Sequence, residues 1–123
     1  MLSRVFFVVS DWAKPINTNF DLVVANPPYV ASQEIEKLSP EISKYEPHMA
    51  LDGGADGLDS YRVLAPSLER LVAPSGLVVF EVGFGQVNAV DAILKSPGFS
   101  CILIQKDLND IPRALCYTRD TLT

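Results

Sequence analysis

Short unbroken apolar runs alternate along this chain with segments of helical periodicity. Val5-Phe6-Phe7-Val8-Val9, within residues 4–10, and Leu22-Val23-Val24-Ala25, within residues 20–25, have the pattern of strands covered on both faces. A third run, residues 76–82 (Gly-Leu-Val-Val-Phe-Glu-Val), is introduced by the turn signal Ala73-Pro74-Ser75-Gly76. Residues 99–105 predict a fourth strand, and residues 113–118, with Leu115 and Tyr117 alternating, a fifth. Between these lie two helical patterns. Tyr61, Leu64, Leu68, Leu71 and Val72 recur at helical spacing, with Asp59 placed to cap the start and Pro66 expected to kink the helix or free one carbonyl. Residues 86–95 carry Val87, Val90, Ile93 and Leu94 and stop at Ser96-Pro97-Gly98. The alternation predicts an α/β domain with a mostly parallel sheet. Residues 31–57, punctuated by Pro40, Pro47, Gly53, Gly54 and Gly57, read as a long loop, and such loops in compact domains tend to be functional.

The length, 123 residues, suits one domain with a real core. Ten Lys and Arg against fifteen Asp and Glu give a net charge of −5, which disfavours a stand-alone nucleic-acid or anionic-membrane binder. No apolar run approaches the ~20 residues of a membrane helix. The run from Val5 to Val9 is too short for a secretory leader, so a cytoplasmic protein is expected. Cys101 and Cys116 have no metal-type spacing and fall in separate strands, which predicts buried, reduced thiols. His48 has no second histidine and reads as a surface loop residue; no metal site is expected.

The chemistry concentrates in Asn26-Pro27-Pro28-Tyr29, delivered at the carboxyl end of a predicted buried strand, where open α/β sheets bind ligands. Asn26 offers a side-chain acceptor and donor. Pro27 drives Asn26 toward extended geometry, and two prolines fix the backbone direction while keeping their carbonyls as acceptors. Tyr29 supplies a flat face. This set suits a planar –NH2 group: the Asn26 side chain and the Pro27 carbonyl hold its two N–H bonds and aim the nitrogen at an electrophile. A rigid Pro-Pro turn after a core strand is the plainer alternative. Gly83-Phe84-Gly85 follows a strand, but Asn88 stands where a dinucleotide fingerprint has its third glycine, so a strand-to-helix turn is preferred. Gly53-Gly54-Ala55-Asp56-Gly57 lacks the Lys-Ser/Thr of a phosphate loop.

Residues 20–29 resemble the motif of amino-group methyltransferases that use S-adenosylmethionine. Residues 45–58 (Tyr-Glu-Pro-His-Met-Ala-Leu-Asp-Gly-Gly-Ala-Asp-Gly-Leu) and 80–86 (Phe-Glu-Val-Gly-Phe-Gly-Gln), followed by Lys106-Asp107-Leu108 and Arg113, resemble HemK/PrmC-type protein-(glutamine-N5) methyltransferases. The resemblance runs from about Arg4 to Thr118. It implies a class I methyltransferase, Rossmann-like sheet that methylates the glutamine amide of Gly-Gly-Gln in class-1 peptide release factors. By resemblance Asn26, Pro27, Pro28 and Tyr29 hold the substrate amide, and Asn26 also lies near the methionine part of the cofactor. Asp11 and Trp12 match the position beside the adenine, and Glu46 with Pro47 buttresses the substrate loop.

The resemblance also implies what the chain does not contain. The family's glycine-rich cofactor loop and N-terminal helical domain have no counterpart in residues 1–123, so a partial catalytic domain is expected. Residues 4–10 would be the family's third strand and residues 20–25 its fourth. In the sheet order 3-2-1-4-5-7-6, the missing strands 1 and 2 lie between them. The connector of residues 11–19 is long enough for the family placement, with nothing to fill the gap and apolar edges left unpaired; alternatively residues 4–10 pair directly with residues 20–25 or remain mobile. A missing N-terminal half is the implied partner. The alternatives are part of a nucleic-acid amino methyltransferase acting on adenine N6 or guanine N2, against which the charge of −5 argues, or a non-catalytic remnant.

Overall fold

The apolar run before the Asn-Pro-Pro-Tyr turn does form a strand, β1 (Phe20–Ala25). The computed structural model describes residues 4–120 except 39 and 46. The third run forms β2 (Val72–Glu81), the fourth β3 (Phe99–Lys106) and the fifth β4 (Pro112–Arg119). They make one four-stranded sheet in the order β1-β2-β4-β3. Only β1 and β2 are parallel; β4 runs antiparallel to both neighbours, so the sheet is mixed rather than mostly parallel. The reason is local. The short connection from β3 to β4 permits a hairpin and leaves no room for a parallel crossover.

The Ala-Pro-Ser-Gly signal acts as an irregularity inside β2 instead of a turn before it. Phe20 pairs with Val72 and Leu22 already with Leu77, so β2 bulges through residues 73–76 where Pro74 cannot donate to the ladder.

Helix α2 (Asp59–Leu71) returns the chain between the parallel strands and runs through Pro66. Asp59 is its first residue, not its cap: Leu58 holds the N-cap position, and the Asp59 carboxylate is turned to Arg62 instead. Helix α3 (Val87–Lys95) connects β2 to β3. Residues 31–57 are partly ordered into short turns: a 3-10 helix at Ser32–Lys37, α1 (Pro40–Tyr45) and a 3-10 turn at His48–Ala50.

The register fixes which face each strand residue occupies. Val23, Val78, Tyr117 and Cys101 form one row across the sheet, and Ala25, Phe80 and Leu115 begin the next. These point at α2 and α3 and meet Tyr61, Leu68, Val90 and Leu94 in the core, with Tyr61 and Tyr117 edge-on to Phe80. The opposite face carries Leu22 and Leu77 in one row and Val24, Val79, Cys116 and Leu103 in another, and no helix among the described residues lies on it. Val24 is 68% exposed there. Cys101 and Cys116 leave opposite faces, which keeps these half-buried thiols unpaired.

Residues 4–10 do not form the expected strand. Arg4 is a 3-10 residue, 5–10 take no regular structure, and Phe7 is 89% exposed. The apolar pattern is that of a covered strand, but neither β1 nor any other described strand offers it a ladder, so nothing fixes it in the sheet.

The division into a packed and an open face predicts a sharp contrast. Phe80→Ala should cost about 3–5 kcal/mol of unfolding free energy, whereas Val24→Ser should stay within about 0.5 kcal/mol. Urea titration of the two variants against the parent chain measures both.

Candidate functional site

The parallel register pairs Ala25 with Phe80, so the next residue on each strand, Asn26 and Glu81, arrive at the same end of the sheet. Asn26 through Tyr29 then leave the strand as an extended turn. Pro27 is buried and Asn26 exposed. The four turn residues, Glu81 and Leu51 line a cleft of about 160 Å3.

Four segments hold that turn in place. The Ser60 hydroxyl, buried on the first turn of α2, donates to the Pro28 carbonyl at 2.8 Å. The Tyr29 hydroxyl donates to Glu81 Oε1 at 2.9 Å, and the Tyr61 hydroxyl donates to the Glu81 carbonyl at 2.7 Å. The Gln86 carboxamide is fully engaged: its Oε1 accepts from Gly83 N at 2.8 Å, and its Nε2 donates to the Tyr29 carbonyl at 2.9 Å and to the Gly57 carbonyl at 3.4 Å. Beyond the turn, Val30 N donates to the Leu51 carbonyl and Gly53 N to the Val30 carbonyl, a parallel bridge that ties residues 51–53 against the site. Asp52 stabilises that bend by accepting from Ser32 Oγ and Gly54 N, contacts that hold its carboxyl below the usual range.

These contacts select the acceptors that stay open. The Pro28 and Tyr29 carbonyls are used internally, while the Asn26 carboxamide and the Pro27 carbonyl receive no hydrogen bond among the described residues. Burial pushes the Tyr29 hydroxyl above its ordinary pKa, and the bond to Glu81 adds to the shift, so Tyr29 stays a neutral donor.

Trp12 comes to the same region by another route. Arg70 on α2 donates from Nη2 to the Ala13 carbonyl at 2.8 Å and from Nε to the Ile16 carbonyl at 2.9 Å, anchoring the turn that carries Trp12. Trp12, Pro28, Met49 and Ser60 line a groove of about 390 Å3 next to the cleft. Asp11 is not part of it: its carboxylate is exposed and paired with Lys14 Nζ at 2.8 Å. Glu46 lies outside the described residues. The structure therefore brings together Asn26, Pro27, Pro28 and Tyr29, sets Trp12 beside Pro28, and leaves Asp11 apart. It also adds Ser60, and it gives contacts to Glu81 and Gln86, which the sequence carries within residues 80–86 without a role assigned to either. An acidic residue closing an apolar strand was the available signal for Glu81; Ser60 gave none.

No family model matches this chain. By structure it is similar to a ribosomal protein L11 methylase from Lactobacillus delbrueckii subsp. bulgaricus, with TM-score 0.57 and 16% identity over 91% of this chain and 42% of that one. A methyltransferase from Pyrococcus furiosus gives TM-score 0.57 and 14% identity over 86% of this chain and 44% of that one. The sheet with helices α2 and α3 thus has the class I methyltransferase, Rossmann-like fold in truncated form.

Sequence narrows the class. The chain is 45% identical over 116 residues to the release factor glutamine methyltransferase of Rhodospirillum rubrum, 94% of this chain and 36% of the relative. It is 39% identical to that of Caulobacter vibrioides and 43% to that of Thermodesulfovibrio yellowstonii, over 98% and 93% of its own length and 42% and 41% of theirs. Across nearly all of its own length the chain is similar to release factor glutamine methyltransferases, and it spans less than half the length of these relatives.

Close packing around Gln86 makes Gly57 a sensitive position. Its φ is +79°, and a Cβ there would sit 2.5 Å from the Tyr29 carbonyl oxygen. Gly85 has a similar φ of +77° with open space around it. Gly57→Ala should cost about 1–3 kcal/mol more than Gly85→Ala, because only the first displaces the Asn-Pro-Pro-Tyr turn. Chemical denaturation of both variants measures the difference.

Proposed function

We propose that this chain is the amide-binding part of a catalytic domain that transfers a methyl group from S-adenosylmethionine to the side-chain nitrogen of glutamine in class-1 peptide release factors, at their Gly-Gly-Gln motif. The observation that carries this reading is the pair of unused acceptors, the Asn26 carboxamide oxygen and the Pro27 carbonyl, held at one cleft by a turn whose Pro28 and Tyr29 carbonyls are occupied. A primary amide presents two N–H bonds, and two fixed acceptors orient its nitrogen before reaction. Tyr29 packs beside it as a flat wall kept neutral by burial and by its bond to Glu81. The names of the relatives support this substrate, and the net charge of −5 favours a protein over a nucleobase amine.

The cofactor, when bound, supplies an electrophilic methyl group on a sulfonium. Trp12, with a groove of about 390 Å3 between it and Pro28, and Asn26 are the residues of this chain that would hold it. Asp11 would join them by exchanging Lys14 for a cofactor amine donor. Glu46 would support the substrate loop. This is one wall of a cofactor site, in keeping with the 36–42% of the relatives' length that the chain spans. No helix among the described residues is long and apolar enough to cross a membrane, and a cytoplasmic location fits an enzyme acting on translation factors.

Calorimetric titration of the purified chain with S-adenosylmethionine is expected to show no micromolar binding; micromolar affinity would mean that these residues suffice for the cofactor. Activity is expected when the chain is co-expressed with the part of a relative that it does not match. Labelled methyl should then appear on release factor and not on DNA or RNA, and label on nucleic acid alone would overturn the substrate assignment. In that complex, Asn26→Ala should lower turnover by about 100-fold or more through misplacement of the amide, with cofactor affinity changed far less.

A further inference from the structure

The methylation reading uses Asn26, Pro27 and Tyr29 and gives Glu81 only its bond to Tyr29, although Glu81 lines the same cleft. Its placement is tightly specified. Glu81 closes β2, its carbonyl accepts from the Tyr61 hydroxyl, and Oε1 accepts from the Tyr29 hydroxyl at 2.9 Å. Val82 N, the next residue, is bonded to the Arg113 carbonyl, so the strand end cannot swing away. Among the described residues Glu81 is the only Asp or Glu lining that cleft. Arg113 is the cation near enough to act on Tyr29, and it is itself paired with Asp107 through Nε at 3.1 Å.

Methylation of an amide moves charge as well as a carbon. The N–C bond forms as the methyl leaves sulfur with its C–S bond broken; sulfur becomes neutral, and the amide carries the positive charge until its N–H proton is released. We propose that the Glu81 carboxylate stabilises this charge on the substrate amide, directly across the cleft and through the polarised Tyr29 hydroxyl, and receives the released proton on its way to solvent. Fixed charge placed where charge develops is a large contributor to catalysis, because it costs no reorganisation when the reaction occurs. This rests on the amide-binding reading and adds that the site prefers a cation to the neutral amide.

The chain itself allows a test without cofactor. A Gly-Gly-Gln peptide and the same peptide with ornithine in place of glutamine present an amide and an ammonium nitrogen at the same distance from the backbone. Calorimetry should find the ornithine peptide bound about fivefold tighter, the margin expected between charged and neutral hydrogen bonds. Glu81→Gln keeps an acceptor for the Tyr29 hydroxyl and should leave thermal stability unchanged while abolishing the preference. Arg113→Gln serves as a second variant, in which the preference should persist or grow. Equal affinity of the two peptides, or a preference that survives Glu81→Gln, overturns this role and leaves the amide site standing. Binding of neither peptide overturns the amide-binding reading and this role with it.

Discussion

The parallel ladder between β1 and β2 is the constraint on which the site depends. Its register brings Ala25 level with Phe80 and therefore delivers Asn26 and Glu81 to one end of the sheet. A shift of one residue would reverse the faces of the whole strand, sending Val23 and Ala25 out of the core and Leu22 and Val24 into it. Because Phe80 is buried between Tyr61 and Tyr117, such a slip is opposed by the core itself. The bulge at residues 73–76 absorbs the irregularity upstream, so the pairing from Leu22 to Ala25 is regular where it matters. Packing energy on one face thus sets the position of polar groups at the strand ends.

The same sheet is unevenly covered. On the helix side, α2 and α3 bury the aromatic and aliphatic rows; on the other, Leu22, Val24, Leu77 and Leu103 remain accessible, and Val5 through Val9 carry further uncovered apolar surface. A patch of that extent is uncommon on a self-sufficient domain. It agrees with the fraction of the relatives that this chain spans, and with solved methyltransferases in which the matching region is likewise less than half of the chain. The site has the same asymmetry. The Asn-Pro-Pro-Tyr turn is held by contacts from several segments, whereas the neighbouring groove has Trp12 on a turn anchored by Arg70.

Much of this was readable from residue patterns, and the failures have physical causes. The strands from residue 20 onward and both long helices were legible because their apolar positions face one core: Leu68 and Leu71, Val90 and Leu94 are buried as their spacing requires. Residues 4–10 carry an equally good strand pattern, yet a strand exists only when a neighbour completes its hydrogen bonds, and periodicity says nothing of neighbours. Asp59 looked like a cap because cap and first-turn positions favour the same residue type; one residue of offset put its carboxylate on Arg62. The mixed sheet followed from loop length rather than strand composition. Within the site, the Asn-Pro-Pro-Tyr turn announces itself, but Ser60, Glu81 and Gln86 act through contacts 32, 52 and 57 residues away in sequence, which no local pattern encodes.

Those distant contacts explain why the turn needs two prolines and still more support. Proline removes two donors that would otherwise seek partners inside the cleft, but its carbonyls remain strong acceptors. If all were open, a bound amide could choose among several orientations. Ser60 occupies the Pro28 carbonyl and Gln86 the Tyr29 carbonyl, leaving Asn26 and Pro27 as the acceptors at the cleft. In the proposed amide site, satisfying the competing groups would select one orientation, and the residues that do this need not touch the substrate. The Gln86 carboxamide does so by joining Gly83, Tyr29 and Gly57 at once, so the strand-to-helix turn after β2 and the loop before α2 hold the Asn-Pro-Pro-Tyr turn from both sides. An Asn-Pro-Pro-Tyr sequence in isolation would have the same groups but not their division into used and available acceptors, which is the property that the fold supplies.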